Sequence, residues 1–191
     1  VIRHSTQENE QGCMPSHPQF VKGKAGSPYA ICDYYGVNPY LADNPADRMA
    51  EFEQLIKRSH DAGLKVIIDF VPNHVSRDYG KINQTPGHPV LGEGDDKNIH
   101  WSENNDFFYY PGQELTLPNE SPKGIEPYKE IPAMATGNNC YSPNPGVNDW
   151  YETIKINYCD THTGTWDKML DIIMYWSAKG VDGFRCDMVE L

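Results

Sequence analysis

Two short stretches of this sequence end an apolar run on a carboxylate. Asp69-Phe70-Val71-Pro72-Asn73-His74 gathers an acid, a carboxamide and an imidazole within six residues. Gly183-Phe184-Arg185-Cys186-Asp187 sets a guanidinium two residues before an acid. In a strand that spacing puts Arg185 and Asp187 on one face. A guanidinium beside a carboxylate keeps it ionised and aims its oxygens, as a nucleophile attacking a sugar carbon requires. His74 can donate to a hydroxyl, and the Asn73 side-chain oxygen can serve a hard cation or the backbone. A third stretch, Ser27 to Pro39, is aromatic and polar, and its Tyr29 offers a flat face to a pyranose ring. Singly, each has a plainer reading: a turn with a satisfied histidine, an ion pair at a strand end, a tyrosine in a loop.

The elements that must position these residues repeat one phrase. Asn44-Pro45-Ala46-Asp47 reads as an N-cap, a proline at the first helical position and an acid three residues after the cap. Met49, Phe52, Leu55, Ile56 and Ser59 follow at helical spacing, Gly63 closes the helix, and Lys65–Phe70 reads as a strand buried on both faces. Near the end the phrase returns. Trp166, Met169, Leu170, Ile173 and Trp176–Ser177 mark a helical face, Gly180 ends it, and Val181–Cys186 is a strand running into Asp187. Helix followed at once by a buried strand is half of a βαβ unit, so a parallel sheet is expected. Such sheets place their chemistry beyond the carboxyl ends of the strands. Asp69, His74, Arg185 and Asp187 are therefore expected close together at the ends of two parallel neighbours.

Residues 1–43 read as mostly irregular, broken by Gly, Pro and Ser. Residues 75–162 hold nine of the 15 prolines and little periodicity. A connection that long is not an ordinary loop, and it reads as a loop-rich excursion. Its aromatics, Trp101, Phe107, Phe108, Tyr109, Tyr110, Tyr128, Trp150 and Tyr151, are expected to pack a core more than to face a ligand.

The 191 residues carry a formal charge of −11, which argues against nucleic acid or an anionic membrane as partners and leaves neutral ligands open. No stretch reaches the apolar length of a membrane span, and Val1-Ile2-Arg3-His4 has no signal-peptide pattern. Cys13, Cys32, Cys140, Cys159 and Cys186 are odd in number and widely spaced, which indicates neither zinc nor a disulfide framework. A start without Met and an end directly after a strand read as a piece of a longer chain.

Taken together and in order, the stretches resemble the α-amylase family of glycoside hydrolases. Ile68–His74 resembles the family's segment at the end of the third barrel strand, and Gly183–Asp187 its Gly-Phe-Arg-x-Asp segment at the fourth. Tyr29–Asn38 resembles the stretch after the second strand, and the excursion corresponds to the family's domain B. The resemblance implies an α/β fold: a partial TIM (β/α)8 barrel with a loop-rich domain B excursion. Residues 1–74 and 163–191 would be barrel and 75–162 domain B. About 250 residues make a complete barrel, so the chain is expected to hold two of its strands. The implied activity is retaining hydrolysis of α-glucans such as starch and maltooligosaccharides.

By the same resemblance Asp187 is the nucleophile and Arg185 orients it. His74 bonds hydroxyls of the sugar at subsite −1, Asp69 supports the site from behind, and Tyr29 stacks beneath the sugar. Asn73 matches a position that binds calcium in many amylases. Two departures matter. Glu190-Leu191 stands where many members have Lys-His on the acceptor side, and Ile154-Lys155-Ile156-Asn157 replaces a Pro-Asp-Leu-Asp-like run that helps bind calcium. No cofactor is therefore firmly implied, and an ammonium at the cation position argues against Ca2+. The family's acid/base Glu follows the fifth strand, so this piece alone is expected to be inactive, and its uncovered strand edges to favour self-association. Secretion or a periplasmic location is implied by the resemblance alone. Two other readings remain: a non-catalytic carbohydrate-binding or interaction relative, and an α-glucan transglycosylase.

Overall fold

A computed structural model describes residues 14–23, 26–81, 84–159 and 164–191, together with the backbone of Ile2–Arg3. The strands are β1 (Ile2–Arg3), β2 (Ile31–Asp33), β3 (Ile67–Phe70), β4 (His74–Ser76), β5 (Tyr109–Tyr110), β6 (Ala133–Met134), β7 (Thr153–Lys155) and β8 (Gly183–Cys186). The helices are α1 (Arg48–Asp61) and α2 (Gly164–Ala178). Among the described residues the strands pair two by two. β3 and β8 are parallel, while β1–β2, β4–β7 and β5–β6 are antiparallel. No helix among them is long and apolar enough to cross a membrane.

The two helix–glycine–strand phrases are built alike. Gly63 (φ 76°) and Gly180 (φ 98°) take the left-handed conformation that only glycine adopts cheaply. The Leu64 N–H reaches back to Ser59 O (2.9 Å) and Gly63 N–H to His60 O (2.8 Å), closing α1 as a Schellman motif. Val181 N–H to Trp176 O (3.2 Å) and Gly180 N–H to Ser177 O (3.0 Å) close α2 identically. Both chains thus turn sharply into strands at one end of the sheet. There Asp182 accepts from Val66 N–H (2.8 Å), His60 Nε2 (2.7 Å) and Lys65 Nζ (3.0 Å), which stitches the two starts together and pushes its own pKa down. β3 and β8 then run in parallel, as the repeat implied, with Asp69 opposite Arg185 and not opposite its counterpart Asp187.

Several expectations need correction. Asn44 does cap, but it caps a 3-10 turn at Pro45–Asp47, so α1 starts one turn later. The carboxylate reaching back is Glu51, which accepts from the N–H groups of Asp43 and Asn44, both at 2.8 Å. β3 is not buried on both faces. Phe70 is 6% exposed, but Ile67, which points to the opposite face of the strand, is 65% exposed. The buried stripe of α2 is Thr165, Met169, Ile172 and Trp176, rotated from the expected face; Trp166 and Leu170 are exposed. With apolar residues on both sides of α2, the 3.6-residue period alone does not select the face. Residues 30–39 are buried throughout and contain β2, a strand too short to register as a pattern.

The main core runs across the expected boundary at residue 74, which falls inside β4. Tyr34, Phe70 and Trp176 pack in one cluster with Val75, Phe107, Tyr109, Ile154 and Ile156. A second cluster joins Phe20 and Val21 to Leu115, Leu117, Ala133 and Tyr151. Of the excursion's aromatics, Phe107, Tyr109 and Tyr151 are buried as expected, whereas Trp101 is exposed and Trp150 only partly covered.

One ion pair sits wholly inside. Arg77, fully buried just after β4, donates through Nη1 to Glu130 Oε1 (2.6 Å), through Nε to Tyr151 O (2.6 Å), and to Met134 O (3.3 Å). Glu130 also accepts from Met134 N–H (2.9 Å) and the Tyr128 hydroxyl (3.1 Å). Removing one member of such a pair leaves an uncompensated buried charge, at a cost of about 3–5 kcal/mol. Arg77→Met is expected to destabilise the fold by about that amount, while Lys57→Met, which breaks the exposed pair with Asp61, costs under about 0.5 kcal/mol. Denaturant midpoints of the two variants compared with the parent check this.

Candidate active site

The carboxyl ends of β3 and β8 carry the acids read from the sequence. Arg185 bridges them: Nη1 lies 3.3 Å from Asp69 Oδ2 and Nη2 lies 3.0 Å from Asp187 Oδ1. The Tyr29 side chain also bonds this guanidinium. Tyr29 and the two carboxylates together push the Arg185 pKa up. Asp187 is held in place by its own N–H, which donates to Phe70 O (2.9 Å) and extends the parallel ladder by one step.

β4 leaves the end of β3 after a three-residue connection, Val71 to Asn73, and brings in His74. This ring is 3% exposed, and its amide neighbour orients it. Asn73 Nδ2 donates to Gly137 O (2.7 Å) and faces His74 Nδ1 (3.0 Å), while its Oδ1 accepts from Lys155 Nζ. The carbonyl on one side and the ammonium on the other fix which way the Asn73 amide points. His74 Nδ1 is thereby the acceptor and Nε2 carries the proton. Burial is the main cause of a His74 pKa lowered to about 4; a bond to the Tyr29 backbone opposes the shift and the Lys155 charge adds to it. His74 is therefore neutral at pH 7.

Tyr29, His74 and Asp187 line one cavity of about 400 Å³, joined by Lys22, Trp150 and Glu152. Asp69 lies outside it, on a larger cavity of about 950 Å³ along α1, and is linked to Asp187 through Arg185. Tyr29 is 38% exposed, leaving part of its ring free. Its loop is anchored from below by Tyr34, whose hydroxyl donates to Val71 O (2.6 Å) and whose carbonyl accepts from Trp176 Nε1 (2.8 Å).

The Asn73 side-chain oxygen accepts from Lys155, whose ammonium also donates to Leu191 O (2.8 Å). Burial lowers the Lys155 pKa to about 8, so it still carries its charge at pH 7. A divalent cation beside that ammonium would be repelled. Among the described residues no three His, Cys, Asp or Glu side chains are grouped to hold a metal. Cys32, Cys140, Cys159 and Cys186 are free thiols; Cys13 lies outside the described residues.

Sequence reading missed the far wall of the cavity. Trp150 stands 5.3 Å from the His74 ring between centroids, and Glu152 pairs with Lys22. Gly137 was missed as well. A Cβ there would lie 2.7 Å from His74 Cβ and 2.7 Å from Thr153 Oγ1, so only glycine lets this loop close on the histidine. Nothing in Thr136-Gly137-Asn138-Asn139 announces that approach, which depends on a partner 63 residues away.

Two outcomes follow from this packing. Gly137→Ala is expected to cost about 1–3 kcal/mol, as overpacking does, and to move the His74 ring resonances in NMR spectra. The second concerns pH. The unfolded chain protonates His74 near pH 6.5 and the folded one near 4, so stability is complete above pH 6.5 and falls as pH drops to 4. The window is worth about 3 kcal/mol at 1.36 kcal/mol per unit. His74→Gln is expected to remove that part of the pH dependence of the urea midpoint.

Comparison with known proteins places this geometry. The alpha-amylase catalytic-domain family matches residues 16–191. The chain is 29% identical over 173 residues to the cyclomaltodextrin glucanotransferase of Bacillus licheniformis, covering 85% of this chain and 18% of that protein. It is 28% identical over 173 residues to the human amino acid transporter heavy chain SLC3A1, covering 85% and 21%. It is 24% identical over 183 residues to maltase A2 of Drosophila melanogaster, covering 90% and 27%. The chain thus spans about a fifth to a quarter of these relatives. Its fold is similar to that of a maltogenic amylase from S. marinus, with a TM-score of 0.50 at 21% identity over 89% of this chain and 23% of that one. With the match running through β3, the excursion and β8 without a break, the chain belongs to the alpha-amylase catalytic-domain family.

Proposed function

We propose that the protein carrying this chain is a retaining glycoside hydrolase of α-glucans, and that the chain supplies the third and fourth strands of a TIM (β/α)8 barrel, β3 and β8, with domain B between them. The observation that carries this reading is the single cavity shared by Tyr29, His74 and Asp187 at the strand ends, with Arg185 behind it. Asp187 attacks the anomeric carbon as the glycosidic C–O bond breaks; the leaving oxygen takes its proton from the family's acid/base Glu, and the sugar stays on Asp187 as the glycosyl-enzyme until water releases it. Arg185 pairs with it and directs one oxygen forward; Asp69 steadies Arg185 from the far side. His74, neutral and fixed in one tautomer, reads sugar hydroxyls, and Tyr29 gives the ring a floor. The ammonium of Lys155 takes the place of a bound Ca2+ beside Asn73, so the site works without that ion.

Retaining chemistry needs a second carboxyl about 5 Å from the first as acid/base. The family's Glu for this role follows a strand beyond β8, so we propose that the isolated 191 residues are inactive. Their exposed β3–β8 edges and the apolar α2 face around Trp166 and Leu170 favour self-association of the isolated chain.

Similarity to an amino acid transporter heavy chain supports a second reading, in which the domain serves as an interaction module. Similarity to a cyclomaltodextrin glucanotransferase supports transfer to a sugar in place of water. The paired Arg185 and Asp187 favour catalysis over the interaction reading.

Asp187→Asn in the full-length protein is expected to abolish turnover of maltooligosaccharides while sugar affinity changes by less than about tenfold, because shape is kept and only the nucleophilic charge is lost. Near-parental rates in that variant would refute the assignment. Chromatography of the parent's products separates hydrolysis from transfer. The isolated chain is expected to leave soluble starch uncut, with a solution mass above that of one chain.

A further inference from the structure

Trp150 lines the Asp187 cavity, and the proposed mechanism leaves it without a task. Its indole differs from those of the other three tryptophans. Trp176 Nε1 donates to Tyr34 O (2.8 Å), Trp101 Nε1 to Asn157 Oδ1 (3.2 Å) and Trp166 Nε1 to Cys159 O (3.2 Å). Trp101 and Trp166 have these acceptors although about half of each side chain faces solvent, 51% and 54%. Trp150 is more covered than either, yet among the described residues its Nε1–H has no acceptor. The atom is accessible, not sealed within the packing. An indole N–H is a donor only, and it is usually bonded where the ring is covered. An open donor on a cavity wall therefore suits an acceptor oxygen brought in by a ligand.

The ring stands on a fixed frame. Trp150 O accepts from Thr153 N–H (2.8 Å) and from Thr153 Oγ1 (2.7 Å). Trp150 N–H donates to Asn138 Oδ1 (3.3 Å), and Asn138 Nδ2 in turn donates to Asp149 Oδ1 (2.7 Å). The indole meets the His74 ring at 5.3 Å between centroids, tilted by 59°. Tyr29 lines the same cavity from another loop. At about 400 Å³ the space falls within the range of small-molecule sites. Two aromatic walls with a few fixed polar groups match a pyranose, whose C–H faces are apolar and whose rim carries hydroxyls.

We propose that Trp150 is a specificity-determining residue: its ring walls the sugar in the Asp187 cavity on the domain B side, and its Nε1–H donates to one hydroxyl oxygen of that sugar. This assignment rests on the glycosidase reading above. The ligand selected is a neutral pyranose that keeps an oxygen lone pair at that position. A deoxy sugar lacks the acceptor. An amino sugar in its ammonium form has no lone pair to offer there. Because the wall is already in place, the bond forms without an ordering cost.

The test is a cycle between protein and substrate in the full-length protein. Trp150→Phe, which keeps an aromatic wall and removes the N–H, is compared with the parent on an aryl α-glucoside and its singly deoxygenated analogues. A neutral hydrogen bond is worth about 3- to 10-fold. The variant is expected to lose that much in kcat/KM on the parent sugar. For one deoxy analogue the parent already shows the loss and the variant loses little more. Each protein is read across the analogues, so a uniform loss from disturbed packing cancels from the cycle. Trp150→Leu, which removes the aromatic wall as well, is expected to lose a further factor on every analogue alike. Equal losses for Trp150→Phe on all analogues, or none on any, overturn the Trp150 assignment and leave the glycosidase reading standing. Rates for Trp150→Leu that match those of Trp150→Phe overturn the wall. Where the full-length protein binds sugars without cleaving them, the hydrolase reading falls and the same cycle, read in Kd for maltose and its deoxy analogues, decides the Trp150 assignment. Absence of both cleavage and maltose binding overturns the two together.

Discussion

Much of this molecule hangs on the burial of one guanidinium. Arg77 has no contact with solvent, and a charge in that position survives only with its full set of partners. Those partners are the Glu130 carboxylate and the carbonyls of Tyr151 and Met134, from two segments of an excursion with very little regular structure. The excursion strands β5, β6 and β7 have two or three residues each, too few for ladders alone to hold them. A buried cation supplies what the ladders lack, a point toward which several loops must converge. Because Arg77 follows β4 directly, that point is tied to the strand that begins with His74.

The cavity walls inherit this arrangement. One wall comes from the strand ends, where parallel pairing sets Asp69 beside Arg185 and carries Asp187 one step further. The opposite wall comes from Trp150 and Glu152, on the segment whose carbonyl Arg77 holds. Tyr29 arrives from a third direction on a loop supported by Tyr34, itself bonded to β3 through Val71 and to α2 through Trp176. The three walls thus come from elements far apart in the chain and meet because each is fixed to a common polar or aromatic anchor. Preorganisation of this kind lets a site bind without ordering costs at the moment of binding.

Electrostatics at the site runs against the overall charge. The chain carries −11 in total, yet Arg185, Lys155 and Lys22 are gathered around the cavity. Each has a different task. Arg185 is exposed and shared between two carboxylates, Lys155 is buried against Asn73 and a carbonyl, and Lys22 leans over an aromatic ring beside Glu152. Negative charge over the remaining surface has little effect on a neutral ligand, so the fold carries the imbalance without penalty to one.

The residues themselves determined the local phrases: two helices closed by glycines in the left-handed conformation, two short strands after them, and acids at the strand ends. Each of those rests on contacts within a few residues, which is why Gly63, Gly180, Asp69 and Asp187 are legible in the sequence. Period-2 alternation likewise set Arg185 and Asp187 on one side. Burial was less legible. The true inner stripe of α2 and the uncovered face of β3 depend on what lies against them, and apolar residues on several faces do not reveal that. Glu51 replaced Asp47 as the capping acid because a single 3-10 turn shifted the helix start. The far side of the cavity was not legible at all. Gly137 meets His74, Lys155 meets Asn73, and Glu152 meets Lys22 across separations of 63, 82 and 130 residues. Such meetings are decided by how the excursion folds around the buried Arg77, and no local pattern encodes them.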